Sequence, residues 1–98
     1  MSDRWRQRGF YVISYDIADD RRRNRVHKLL TGFGDGVQYS LFECFLSDKE
    51  LVQVRHRLRR LIKTEEDRIR IYSLCKPCFG KVESMGCENP QEPAVFIL

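Results

Sequence analysis

Phe10-Tyr-Val-Ile-Ser-Tyr-Asp-Ile17 is the stretch on which the fold turns. It is dense in β-branched and aromatic residues and lacks helical spacing, so it predicts a strand. Apolar residues fall on both of its faces, which places it in a sheet interior. Asp16 stands at its end. Next, Ala18-Asp19-Asp20 offers helix caps, and Val26, Leu29, Leu30 and Phe33 recur at i, i+3, i+4 and i+7, one stripe of an amphipathic helix that Gly32 and Gly34 stop. Gly36 to Leu46 is again rich in strand formers and too long for one short strand, so it predicts two strands, or one with a break near Phe42. Ser47-Asp-Lys-Glu50 is a capping box that opens a second helix carried by Leu51, Val54, Leu58, Leu61 and Ile62.

After the acidic run Thr64-Glu-Glu-Asp67, Arg68-Ile-Arg-Ile-Tyr-Ser-Leu-Cys75 alternates polar and apolar residues as a two-faced strand does. A short strand is expected around Lys81 to Ser84, then a polar stretch from Cys87 to Pro93 and the apolar tail Ala94-Val-Phe-Ile-Leu98. The order β-α-β-β-α-β with a further C-terminal strand predicts an α+β, ferredoxin-like βαββαβ sandwich with both helices on one sheet face.

The chain has 98 residues, 42% hydrophobic and 33% charged, which suits a single globular domain over 1–98 and excludes a two-domain enzyme. Residues 1–9 read as a basic N-terminal extension, and 87–98 as a polar linker and a dimer strand. Five apolar residues at a terminus call for a partner sheet in a second copy. No stretch approaches the roughly 20 apolar residues of a membrane span. The N-terminus lacks the apolar run of a signal peptide, so the expectation is a cytoplasmic protein, without membrane contact, whose thiols are reduced. Of the net charge of +4, the excess lies in residues 1–63, with 14 Lys and Arg against 8 Asp and Glu. Such a balance fits a polyanionic partner, and solvated helix faces give similar counts.

Asp16 is the sharpest candidate for chemistry, because a carboxylate at the end of an interior strand is held rigidly where the sheet gives way to loops. Its plainer reading is a turn residue. One carboxylate per chain makes a poor magnesium site, but two copies meeting across a two-fold axis would face two carboxylates into one cleft. Asp19 and Asp20 read as helix caps. Arg21, Arg22, Arg23 and Arg25 oppose the helix dipole, so another pressure selects them. For Arg22 and Arg23 two uses stand open: phosphate oxygens beside a metal, or ion pairs with Asp19, Asp20 or an acidic loop. His56, Arg59, Arg60 and Lys63 form a basic band on the second helix, and His27 and His56 read as surface residues. Cys75-Lys-Pro-Cys78 has CxxC spacing and Cys87 adds a sulfur. A structural zinc site takes four ligands, and a redox motif opens a helix whereas this pair follows a strand, so the thiols read as adventitious.

The run from Tyr11 to Val26, with Leu29-Leu30, the strand Gln38-x-Ser40-x-Phe42-Glu43 and Arg70-Ile-Tyr72, resembles the small CRISPR-associated spacer-acquisition proteins, the second of the two core adaptation proteins. The resemblance covers nearly the whole chain. It implies a ferredoxin-like homodimer, a Mg²⁺- (or Mn²⁺-) dependent endonuclease on RNA or DNA, and a place beside the larger CRISPR-associated spacer integrase. By the same resemblance Asp16 matches the catalytic, metal-binding aspartate, and Arg23, Arg25 and Phe42 match positions linked to activity or nucleic-acid contact. Two features depart from it: Gly36 stands where many members carry a basic residue, and the residues before Phe10 extend past the usual start. The function expected is endonucleolytic, with Arg22, Arg23, Arg25, Phe42, Arg59 and Arg60 on nucleic acid. A non-catalytic dimeric scaffold bridging integrase subunits on duplex DNA is the alternative, and a ferredoxin-like regulatory module is disfavoured by the charge distribution.

Overall fold

The structure is a computed structural model that describes residues 8–38 and 40–86. Its elements are β1 (Arg8–Asp16), α1 (Asp20–Thr31), β2 (Asp35–Gln38), β3 (Leu41–Ser47), α2 (Asp48–Leu61), β4 (Arg68–Leu74) and a one-turn α3 (Lys76–Phe79). The strands form an antiparallel sheet in the order β2-β3-β1-β4, which is the ferredoxin-like arrangement. β1 is interior, as its two apolar faces require.

Alternation along the strands sorts the side chains. Ile13 lies beside Phe42 and Ile71 in register, and Tyr15 beside Ile69. With Ile17, Cys44 and Leu46, the buried members of this set meet Val26 and Leu30 of α1 and Val54 and Leu58 of α2 in one core. Both helices therefore cover the same sheet face. On the opposite face Phe10, Val12, Ser14 and Asp16 run beside Phe45, Glu43 and Leu41 of β3 and Leu74, Tyr72, Arg70 and Arg68 of β4. One end of that face is covered by Phe79, whose ring lies 4.6 Å from Phe10 and 5.5 Å from Phe45.

The helix starts follow their caps. Asp19 accepts from the Arg22 amide at 2.9 Å. Ser47 accepts from the Glu50 amide at 3.1 Å while Glu50 accepts from the Ser47 amide at 2.9 Å, completing the capping box. α1 ends where Gly32 bonds back to Leu29. Gly34 follows because the chain there presses on β3, and a Cβ would overlap the Cys44 sulfur and the Glu43 carbonyl.

The second β region is two strands, the first of the two expected readings, and the alternative of one strand broken near Phe42 fails because Phe42 is wholly buried and keeps its ladder place opposite Ile13. Two expectations need correction. Residues 81–84 form no strand: the chain turns through Gly80 and Lys81 and runs on irregularly, with Val82 exposed and lacking an apolar face to cover. CxxC does open a helix, since Cys75 is the N-cap of α3 and Pro77 sits in its first turn, where a missing N–H costs nothing. The C-terminal strand, the linker with Cys87, and all but the last two residues of the N-terminal extension lie outside the described residues.

Candidate nucleic-acid site at the end of β1

Asp16 is the last residue of β1, exposed, and opposite Arg68 across the β1–β4 ladder. It lines a cleft of about 560 Å³ with Tyr15, Ile17, Arg23, Asn24, His27 and Ser40. β1 supplies the carboxylate, the first turns of α1 supply the nitrogens, and Ser40 comes from the approach to β3. The Ser40 carbonyl accepts from the Tyr15 amide at 3.1 Å, which holds that wall to β1.

Arg23 is the cation beside the carboxylate. Its Nη1 donates to the Ile17 carbonyl at 3.0 Å and its Nη2 pairs with Asp20, and its side chain remains 41% exposed. This fixes the guanidinium against the loop after Asp16 while leaving part of it for an anion. The Tyr15 hydroxyl and His27 Nδ1 share a hydrogen bond of 3.1 Å. Burial pushes the Tyr15 phenol above its ordinary value and the Arg23 charge pulls it partly back.

Arg22 takes the ion-pair use. Its Nε donates to Asp67 Oδ2 at 2.8 Å and its Nη2 to Glu66 Oε1 at 2.9 Å, in the acidic loop before β4. Asp67 is buried, also accepts from the Lys63 amide at 2.9 Å, and its carboxyl is held below the usual range chiefly by Arg22. Asp19, the N-cap, is lowered chiefly by the Arg22 amide.

Phe42 does not reach the surface. Its side chain has no exposed area and lies between Tyr15 and His27, with ring centroids 6.4 and 5.2 Å away, so nucleic-acid contact through it is corrected to a core role. Arg25 is exposed on α1, and Arg59 and Arg60 are exposed on the last turn of α2. Arg59 shares a second cleft, of about 450 Å³, with Arg55 and Arg68. The structure thus brings Asp16 and Arg23 into one cleft and leaves Arg59 and Arg60 on another surface.

Asn24 and His27 were missed as lining residues. Arg23 and His27 are four apart on one helix, and that spacing alone puts them on one face. Cys44 is buried with its thiol pushed up to about 12, mainly by burial, and is a core residue. Among the described residues no group of three or more His, Cys, Asp or Glu is placed to hold a metal ion. No described helix is long and apolar enough to cross a membrane.

Fold and site together define a small ferredoxin-like α+β protein that presents a strand-end carboxylate next to a tethered arginine. The family model for CRISPR associated protein Cas2 matches residues 9–82. The chain belongs to that family. It is 50% identical over 84 residues to the CRISPR-associated endoribonuclease Cas2 1 of Chloroflexus aurantiacus, covering 85% of this chain and 90% of the relative. It is similar to the crystal structure of Streptococcus pyogenes Cas2 at pH 6.5, with a TM-score of 0.69 and 34% identity over 79% of this chain and 99% of that one. A chain of a partial Cas6–RT–Cas1–Cas2 complex is similar at a TM-score of 0.69 and 31% identity, covering 79% and 90%.

Proposed function

We propose that this protein is a metal-dependent endonuclease that acts in the cytoplasm on RNA or DNA as a homodimer, in spacer acquisition with the larger Cas1 integrase. The observation that carries the reading is the shared cleft of Asp16 and Arg23. The relatives named endoribonuclease or endonuclease support the reaction class, and the similar chain in a complex containing Cas1 supports the partner. The sheet face opposite the helices supports pairing of two copies, since Tyr72 is 46% exposed there and half-buried Val12 and Leu41 lie alongside.

Magnesium is usually held by one or two carboxylates and several waters. Asp16 of one copy offers one carboxylate, and two copies offer two, so the donor set fits the ion or its manganese substitute. When bound, such an ion acidifies water and neutralises charge on a phosphodiester. Arg23 meets a phosphate oxygen as a fork already fixed by the Ile17 carbonyl. Asn24 and His27 line the same wall and hydrogen-bond the backbone or the leaving oxygen. Arg25, and Arg59 and Arg60 on their own surface, contribute phosphate contacts at longer range.

The test is Asp16→Asn, which keeps shape and removes charge. Purified wild type and variant are assayed on RNA, single-stranded DNA and duplex DNA, with and without chelator, beside a measurement of dimer mass. The expected result is an intact dimer, retained binding and no cleavage by the variant. Equal cleavage by both proteins would sink the proposal. The scaffold reading has its own support in the Cas1-containing complex: duplex DNA binding that survives chelation, with no cleavage of any substrate by wild type, would establish it instead.

A further inference from the structure

Among the described residues, two thiols remain that neither the fold nor the cleft uses. Cys75 and Cys78 are both exposed, at the N-cap and third helical position of α3. The N-cap and the third helical position are neighbours across one turn, so the two exposed thiols lie within a single turn of backbone. The first intrahelical bond, Phe79 amide to Cys75 carbonyl at 2.9 Å, holds the turn that brings them together. Strand, Cys-x-x-Cys and helix follow in the order that suits thiol exchange, with Pro77 stiffening the turn.

We propose that Cys75 and Cys78 are a covalent modification site, a reversible disulfide pair formed by exchange with a low-molecular-weight disulfide such as glutathione disulfide. The Cys75 thiolate attacks one sulfur of the small disulfide, forms a mixed disulfide and expels one small thiolate. Cys78 then gives its proton to solvent base and attacks the Cys75 sulfur. The intramolecular bridge forms and the second small thiolate leaves. Two protein thiols are oxidised, one external disulfide is reduced to two thiols, and the protons released equal those the small thiolates take up. The roles follow the local field: hydrogen bonding from Cys78 lowers the Cys75 thiol below its ordinary value, while Cys78 is raised by donating to it. The bridge closes the turn that seats Phe79 on Phe10 and Phe45.

The full chain is equilibrated without oxygen in reduced and oxidised glutathione mixtures, quenched in acid, alkylated and mapped by mass spectrometry. The expected product is a Cys75–Cys78 link, lighter by two hydrogens, half-formed within the buffer series and reversed by dithiothreitol. Buried Cys44 stays unreacted until the protein unfolds. Cys78→Ser, checked for folding by circular dichroism, is expected to accumulate the mixed disulfide on Cys75 and to react several-fold faster with an aromatic disulfide than Cys75→Ser does. Thiols that stay alkylatable in the most oxidising buffer, adducts that persist on both cysteines of wild type, or a link to Cys87 instead would overturn the pair. Equal rates for the two variants would overturn Cys75 as the attacking sulfur.

Discussion

The Arg22 guanidinium grips the Asp67 carboxylate with two nitrogens, Nε at 2.8 Å from Oδ2 and Nη2 at 3.2 Å from Oδ1. The residues are 45 apart in sequence, and the contact joins the first turn of α1 to the loop that leads into β4. The Lys63 amide, after the end of α2, donates to the same carboxylate at 2.9 Å, so α2 is part of the same knot.

This contact makes stability depend on acid in a predictable direction. Asp67 has a folded value below the ordinary 3.8, so its stabilisation is complete above that value and fades as pH falls through the lower folded one. Thermal melts of wild type and Asp67→Asn are expected to differ most at neutral pH and to converge in strongly acidic buffer. A gap that widened on acidification would contradict the assignment.

Phe42→Ala separates a core role from a nucleic-acid role. Removing a wholly buried aromatic is expected to cost about 3–5 kcal/mol of unfolding free energy. Denaturant titration gives that cost directly. Nucleic-acid affinity, scaled to the folded fraction, is expected to stay within error of wild type.

Reversing charge at Arg59 and Arg60 tests the surface at the end of α2. If both contact phosphates, the slope of log affinity against log salt flattens by about 2 units on duplex DNA, since each contact releases roughly one counterion. Fluorescence anisotropy across a salt series reads this. An unchanged slope would place the polymer elsewhere.

Gly34→Ala tests the close approach between the α1–β2 connection and β3. The added methyl meets the Cys44 sulfur and the Glu43 carbonyl, backbone that cannot step aside cheaply. Overpacking of this kind costs about 1–3 kcal/mol, and a lower denaturation midpoint with unchanged slope is the expected outcome.

Most of the architecture was legible because the signals were local. The Ser47–Glu50 box, the Val26–Leu30 stripe and the Arg68–Leu74 alternation each declare an element within a few residues. The misreadings came where tertiary packing decides. Phe42 sits in an alternating strand whose inward face is known only once Ile13 is set beside it. Arg22 and Arg23 are neighbours of identical type, and only the position of Asp67, far along the chain, separates a brace from a cleft residue. α3 is a single turn, too short for a periodic signal, and its existence rests on Phe79 finding Phe10 and Phe45.

The place of β1 between β3 and β4 also sets the order in which the molecule breathes. Opening β1 breaks two ladders at once, whereas β2 has one neighbour and four exposed residues. In amide hydrogen exchange, protection is greatest where opening approaches global unfolding and least at the rims. Deuterium therefore enters β2 and the loops early and β1 late. Asp16, the last residue of that strand, is laddered to β4 alone, so its carboxylate is anchored from one side while the doubly paired strand behind it stays closed.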